Sequence, residues 1–184
     1  MEEKKINLLG ISGSIRNASY NTGLLRAAQE VLPSSMNLEI YSLAKIPLYN
    51  GDLESNPPNS VIEFKSKISE SDALLFAITE YNYSVSGVLK NAIDWASRPV
   101  KNSPLNGKPF AMMGAGGALG TARAQYHFRQ IAVFTNMHTF NKPEVLVTNA
   151  YEKFDSNGNL KDEPTKERIK LLLDTLAQWI KRFQ

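Results

Sequence analysis

The sequence predicts a three-layer α/β sandwich, in which helices cover both faces of an open and mainly parallel β-sheet. Two observations support this fold class. Short apolar segments of strand length alternate with longer segments whose apolar residues recur at helical spacing. The third strand candidate, residues 73–78, is continuously apolar, as is typical of a central parallel strand covered on both faces. Such a sheet binds ligands beyond the carboxyl ends of its strands.

Five segments have the composition of β-strands. Four are short apolar runs, and the second alternates apolar with polar side chains, as a strand with one exposed face does. A long loop rich in Pro, Gly and Asn separates the second strand from the helix after it. In chain order, the predicted strands are residues 6–11, 38–43, 73–78, 109–113 and 144–148.

Each predicted strand is followed by a segment with a helical apolar face. The second helix has Ser60 as a suitable N-cap, and the last helix begins near Pro164, because proline is favoured in a first helical turn. In chain order, the predicted helices are residues 24–32, 61–68, 88–95, 121–136 and 164–180.

The composition excludes several classes of function. At 184 residues we expect one domain, residues 1–184. Cysteine is absent, which excludes disulfides, thiolate metal sites and a cysteine nucleophile. The net charge is +3 and the cations are dispersed, which argues against nucleic acid as a partner. No apolar run approaches the roughly 20 residues that span a bilayer, and no signal peptide is recognisable, so we expect a cytoplasmic location.

The loop between the first strand and the first helix, residues 10–23, predicts a phosphate site. It is rich in hydroxyl and amide side chains, and Arg16 is its cation. Anions bind readily at a helix N-terminus, which presents free N–H groups and a partial positive charge. The polar side chains that the loop offers are Ser12, Ser14, Ser19, Asn21 and Thr22.

Two other phosphate-binding motifs do not fit this loop. A P-loop would need Gly-Lys-Ser/Thr, which is missing. The dinucleotide fingerprint needs three glycines at set spacing, but Gly13 is followed by Ile15 and Arg16. It also needs an acidic residue at the end of the second strand, which here ends in Ser42-Leu43. The loop therefore suits one terminal phosphate monoester, such as that of FMN.

Two further loops rich in Gly, Ser or Asn follow the third and fourth strands, at residues 79–87 and 114–120. Both are expected at the same edge of the sheet as the first loop, so the three should converge on one crevice.

Motifs in these loops resemble those of the NAD(P)H-dependent FMN reductase family, which includes chromate/quinone reductases and azoreductases. The resemblance covers about residues 6 to 150 and implies a flavodoxin-like fold, with five parallel strands in the order 2-1-3-4-5 and bound FMN. The motifs are Gly13-Ser14-x-Arg16-x-x-Ser19-x-Asn21, then Glu80-Tyr81-Asn82-Tyr83-Ser84 continuing to Trp95, and Gly116-Gly117 continuing to Gln130.

The resemblance also implies properties of single residues and of the site as a whole. At Thr79 and Ser86 the family usually has proline, so we expect a looser second loop here. Glu80 is expected to accept hydrogen bonds or cap a helix rather than to act as a catalytic acid, since hydride transfer requires no acid–base side chain. No metal site is expected.

The resemblance implies an FMN site with two ends. The phosphate end comprises Ser14, Arg16, Ser19, Tyr20, Asn21 and Thr22, and the ring end comprises Glu80, Tyr81, Asn82, Tyr83, Ser84, Gly116 and Gly117.

The implied function is an FMN-dependent NAD(P)H oxidoreductase with ping-pong hydride transfer to quinones or similar acceptors, such as azo compounds, chromate or flavin. The alternatives are a non-enzymatic flavodoxin-type electron carrier or flavin-sensing protein, and a flavin reductase that releases FMN as a product. The sequence pI of about 9.0 favours the enzyme, because carriers tend to be acidic. The expected partners are small molecules, NAD(P)H and quinone-like acceptors.

The helix predicted at residues 121–136 has apolar residues on more than one side. One face, which includes Ala124 and Phe128, should cover the sheet. Tyr126, Val133 and Phe134 lie elsewhere around the helix, covered either by another subunit or by the chain's own loops. Because the resembling family commonly forms dimers and tetramers, we expect a homodimer or homotetramer.

Overall fold

The computed structural model describes residues 5–183 and confirms the three-layer α/β sandwich. Its main sheet is parallel throughout. The second strand lies at one edge and pairs with the first, which pairs on its other side with the third. In chain order, the strands are β1 (Ile6–Ser12), β2 (Met36–Tyr41), β3 (Ala73–Ala77), β4 (Glu80–Tyr81), β5 (Ser84–Val85), β6 (Pro109–Ala115), β7 (His138–Thr139) and β8 (Val145–Val147).

The five predicted helices are present, although several begin earlier, and a short helix at residues 150–153 was not predicted. The last helix has Pro164 in its first turn, as predicted, and the Asp162 side chain caps it by accepting a hydrogen bond from Thr165 N at 2.9 Å. Ser60 is not the cap of the second helix, which starts one residue before it. The helices are α1 (Tyr20–Glu30), α2 (Asn59–Glu70), α3 (Gly87–Ala96), α4 (Ala122–Thr135), α5 (Ala150–Lys153) and α6 (Glu163–Ile180).

The predicted strand order is confirmed, but the fifth position of the sheet is shared by two short strands. β6 pairs with β7 at its start and with β8 at its end, where Met113 lies beside Val145. Pro143 lies between β7 and β8 and has no N–H to donate to a strand ladder. The strand predicted at residues 144–148 is confirmed as β8, whereas β7 was not predicted.

The sheet separates two apolar layers. On one face, α1 and α6 cover the sheet, with Leu25 and Leu173 fully buried. On the other face, α2, α3 and α4 cover it, with Phe64 and Phe128 fully buried. Among residues 5–183, no helix is both long and apolar enough to cross a bilayer.

Candidate functional site

The three polar loops meet at one cavity of about 150 Å³, beyond the carboxyl ends of β1, β3 and β6. Most of the predicted site residues line this cavity, whereas Thr22, Asn82, Tyr83, Ser84 and Gly117 lie outside its lining. Thr79 and Ala115 also line it, and the sequence did not predict them. The lining residues are Ser14, Arg16, Ser19, Tyr20, Asn21, Thr79, Glu80, Tyr81, Ala115 and Gly116.

The first loop is held by hydrogen bonds between its own hydroxyl groups and backbone. Ser19 caps α1, because its Oγ accepts a hydrogen bond from Thr22 N at 3.2 Å. Thr22 Oγ1 in turn donates to Ser12 Oγ at 3.0 Å, at the end of β1. Ser14 Oγ accepts from Arg16 N at 3.3 Å. The loop therefore keeps a defined backbone shape at the helix N-terminus.

Arg16 places a cation just before this helix N-terminus. Its Nη2 donates to Ala18 O at 2.7 Å, and its guanidinium carbon lies 5.2 Å from the centre of the Tyr20 ring. Tyr20 packs on Phe154, with 4.8 Å between the ring centres. Arg16 is exposed, and no ion pair within residues 5–183 involves it. Its charge is thus available to an anion from solvent.

Asn21 joins the first loop to the third. Its side chain is buried, with Nδ2 donating to Ala115 O at 3.1 Å and Oδ1 accepting from Ala115 N at 2.9 Å. Both polar atoms therefore bond the backbone at the end of β6. This arrangement fixes the start of α1 against the sheet.

The second loop is a β-hairpin, which the sequence did not predict. β4 and β5 pair in antiparallel fashion, and the two turn residues are Asn82 and Tyr83, with φ of 51° and 66°. Both are left-handed, as in a two-residue type I′ turn, where asparagine is common but tyrosine is not. Tyr81 and Tyr83 are 59% and 70% exposed, so the hairpin carries aromatic rings on the surface beside the cavity.

Glu80 anchors the hairpin to α4, and its predicted helix-capping role is confirmed. Its Oε2 accepts a hydrogen bond from Ala124 N at 3.1 Å, in the first turn of α4. Its Oε1 lies 3.4 Å from Nη1 of Arg123, whose guanidinium carbon is 3.7 Å above the Tyr83 ring. Arg123 was missed because nothing in its local sequence shows that α4 begins against the hairpin.

A second link between the hairpin and α4 involves His127. Its Nδ1 is 2.7 Å from Ser84 Oγ. Arg123 and His127 are four residues apart on α4, which places them on the same helix face. Tyr83 and Ser84, which lie outside the cavity lining, are therefore still held by contacts with α4.

The third loop turns tightly after β6. A Cβ on Gly116 would lie 2.3 Å from Gly120 O, so only glycine fits there, whereas a Cβ on Gly117 would meet nothing within 4 Å. Gly116 N donates to Val147 O at 3.0 Å, and Gly116 O accepts from Ala150 N at 2.9 Å. The Gly116 amide is therefore occupied within the fold.

The two positions where proline was expected have different surroundings. Ser86 Oγ donates to Gly13 O at 2.6 Å and accepts from Leu89 N at 3.3 Å, so it caps α3 and ties the hairpin to the first loop. These hydrogen bonds hold the second loop in place at Ser86, whereas the loss of proline predicted a looser loop. Thr79 is buried, and within residues 5–183 its Oγ1 has no hydrogen-bond partner.

The sequence matches a known protein family whose cofactor is consistent with this site. A model of the family described as NADPH-dependent FMN reductase matches residues 6–152. The chain belongs to this family. It is therefore an oxidoreductase whose family uses FMN and takes electrons from NAD(P)H.

Individual relatives are similar over almost the whole chain. An NAD(P)H-dependent FMN reductase of Pseudomonas aeruginosa is 49% identical over 181 residues, covering 97% of both chains. An NADPH:quinone oxidoreductase of Arabidopsis thaliana is 46% identical over 187 residues, covering 97% of this chain and 94% of the plant protein. The structure of FerB, a flavoenzyme NAD(P)H:(acceptor) oxidoreductase of Paracoccus denitrificans, superposes with a TM-score of 0.87 at 31% identity, covering 96% and 98% of the two chains.

Proposed function

We propose that this FMN reductase family member binds FMN in the cavity at the three loops, and that residues 1–184 act as one FMN-binding domain. The convergence of the loops on one cavity, with the Arg16 cation before the N-terminus of α1, carries this proposal. The residues fit the cofactor in two respects. The first loop offers a cation and a helix N-terminus to a phosphate, and Thr79 offers a buried hydroxyl with no partner in the described chain.

At the phosphate end, the side chains divide into two roles. Arg16 and Ser14 contact the phosphate, since charge-assisted hydrogen bonds are the stronger ones. Ser19 fixes the first turn of α1, because its Oγ accepts a hydrogen bond from Thr22 N. Thr22 and Asn21 hold the loop, because their polar atoms already bond Ser12 and Ala115. Tyr20 lies between the Arg16 guanidinium and Phe154 and orients the arginine.

At the ring end, the hairpin and the third loop border the isoalloxazine. Tyr81 lines the cavity, and the turn at Asn82 and Tyr83 and the Ser84–His127 contact hold the hairpin beside it. Glu80 fixes the hairpin to α4. Gly116 borders the cavity and permits the tight turn of the third loop, and Gly117, which has no Cβ, leaves open space beside it. When bound, FMN supplies the redox chemistry, accepting a hydride from NAD(P)H and passing two electrons to an acceptor.

The acceptors that we propose are quinones or similar compounds, such as azo compounds, chromate or flavin, reduced in a ping-pong sequence. Support comes from the exposed hairpin, because the aromatic rings of Tyr81 and Tyr83 offer flat surfaces to a flat acceptor beside the cavity. NAD(P)H and then the acceptor would use the same open side in turn.

Spectroscopy of the purified protein tests this function. We expect a yellow protein whose flavin absorbance is bleached by NADH or NADPH in the absence of oxygen and restored by a quinone, without a partner protein. Double-reciprocal plots of initial rate against donor concentration, at several fixed acceptor concentrations, should give parallel lines if the order is ping-pong. Bleaching that requires a partner protein would indicate an electron carrier instead. A colourless protein that FMN cannot reconstitute would overturn the proposal.

We also propose that the chain forms a homodimer or homotetramer through α4. Ala124 and Phe128 face the core, whereas Tyr126, Val133 and Phe134 are 59%, 82% and 67% exposed, so the chain's own loops do not cover them. Sedimentation at micromolar concentration should show an oligomer that Phe134→Asp dissociates. A strict monomer in the wild type would contradict this interface.

A further inference from the structure

We propose that the hydroxyl of Thr79 donates a hydrogen bond to bound FMN, so that a position where the family usually has proline supplies a cofactor contact in this chain. The inference rests on the proposed function, because it takes the cavity at the three loops to be the FMN site. Thr79 lines that cavity and is 7% exposed.

The observation behind the proposal is an unsatisfied polar atom. Within residues 5–183, Thr79 Oγ1 is the buried side-chain oxygen or nitrogen that lacks a hydrogen-bond partner. Buried polar side chains in folded proteins are almost always paired, since leaving one unpaired destabilises the protein. An unpaired buried hydroxyl at a ligand cavity is therefore explained by a partner that belongs to the ligand.

Thr79 is packed closely against the hairpin and the first loop. Its backbone oxygen accepts a hydrogen bond from Ser86 N at 3.2 Å, at the base of the hairpin. A Cβ on Gly13 would lie only 3.0 Å from Thr79 N and 3.3 Å from Thr79 Cβ, so the first loop packs directly against the residue. As a β-branched residue, threonine also has few side-chain rotamers.

The position of Thr79 indicates which part of FMN accepts the bond. Thr79 touches the first loop through Gly13 and precedes Glu80, the first residue of the hairpin. It therefore lies between the phosphate end and the ring end of the site. In FMN the ribityl chain joins these two ends, so a ribityl hydroxyl oxygen is the acceptor that we assign.

Three variants separate the hydroxyl from the packing of the side chain. Thr79→Val has nearly the same shape but no hydroxyl, and Thr79→Ser keeps the hydroxyl with one methyl group fewer. Thr175→Val is the matched control, because the Thr175 hydroxyl bonds Leu171 O within α6 and Thr175 does not line the cavity. The dissociation constant of FMN is measured by fluorescence quenching on flavin-depleted protein, and the thermal midpoint of that flavin-depleted protein is measured separately.

We expect Thr79→Val to raise the FMN dissociation constant about three- to tenfold, as loss of one neutral hydrogen bond does. The flavin-depleted Thr79→Val protein should be at least as heat-stable as the wild type, because the variant removes an unpaired buried hydroxyl. Thr79→Ser and Thr175→Val should each stay within about twofold of the wild type in FMN affinity, since the hydroxyl of the first is kept and the second lies far from the site.

Flavin analogues locate the acceptor. The effect of Thr79→Val should persist with riboflavin, which keeps the ribityl chain, and vanish with lumiflavin, which lacks it. An unchanged FMN affinity in Thr79→Val would overturn the proposal, as would equal losses in the Val and Ser variants or an effect that persists with lumiflavin. Failure of the wild-type protein to bind FMN would instead overturn the proposed function.

Discussion

The carboxylate of Glu80 is expected to stabilise the hairpin mainly through a hydrogen bond to the backbone of α4. Glu80→Ala removes the acceptor of Ala124 N, at 3.1 Å, and a hydrogen bond to a charged group contributes about 1.5–3 kcal/mol. The ion pair with Arg123 adds little, because the arginine side chain is 40% exposed and such pairs contribute about 0.2–1 kcal/mol. The expected loss is about 2–3 kcal/mol.

For a chain of 184 residues, this loss corresponds to a drop in Tm of roughly 4–12 °C, at about 2–4 °C per kcal/mol. Thermal unfolding of flavin-depleted protein measures it. Glu80→Gln, which keeps an oxygen acceptor, should lose about half as much, and the exposed Glu144→Ala should be nearly neutral. A drop in Tm in Arg123→Met as large as that in Glu80→Ala would contradict this expectation, because the contacts of Arg123 with Glu80 and Tyr83 would then outweigh the hydrogen bond to Ala124 N.

Three further predictions concern the support of the first loop and the far end of the sheet. Asn21→Leu leaves the buried N–H and C=O of Ala115 unpaired, so urea unfolding should show a loss of about 2–4 kcal/mol. Gly158→Ala should cost about 2 kcal/mol and weaken FMN binding, because φ is 75° and the added Cβ would lie 2.8 Å from Ala18 C. Burial lowers the pKa of Lys108 below its usual 10.5, although the nearby Asp72 carboxylate opposes the shift. Between the lowered pKa of the folded state and the usual pKa of the unfolded state, the folded state therefore binds fewer protons than the unfolded state. Stability should therefore rise with pH across that window, and Lys108→Met should reduce the slope.

The large elements could be predicted from the sequence because each has many residues in one pattern. The continuous apolar run of β3 and the apolar faces of α1 and α6 leave few alternatives. β7 and the hairpin strands have two residues each, too few to show a period of two. Pro143 lies between β7 and β8, where it cannot donate a backbone hydrogen bond to β6. Which residues of β6 pair with β7 and which with β8 depends on tertiary structure, so the sequence alone does not predict it.

The site could be predicted as three converging loops, but the division of roles within it could not. Asn21 was expected at a phosphate, yet its side chain bonds Ala115, a residue 94 positions away. Arg123 and His127 support the hairpin from α4 through tertiary contacts that local sequence does not encode. Thr79 could be noted only as a missing proline, because its unpaired hydroxyl becomes visible once its surroundings are known.

A comparison of FMN with riboflavin isolates the contribution of the phosphate to binding, because the two ligands differ only in that group. A titration of flavin-depleted wild-type protein with both should show FMN bound at least about a hundredfold more tightly, the equivalent of one or two charge-assisted hydrogen bonds. In Arg16→Ala, FMN affinity should fall about ten- to a hundredfold and riboflavin affinity should hold. Equal affinities for FMN and riboflavin in the wild type would contradict a phosphate site at the start of α1.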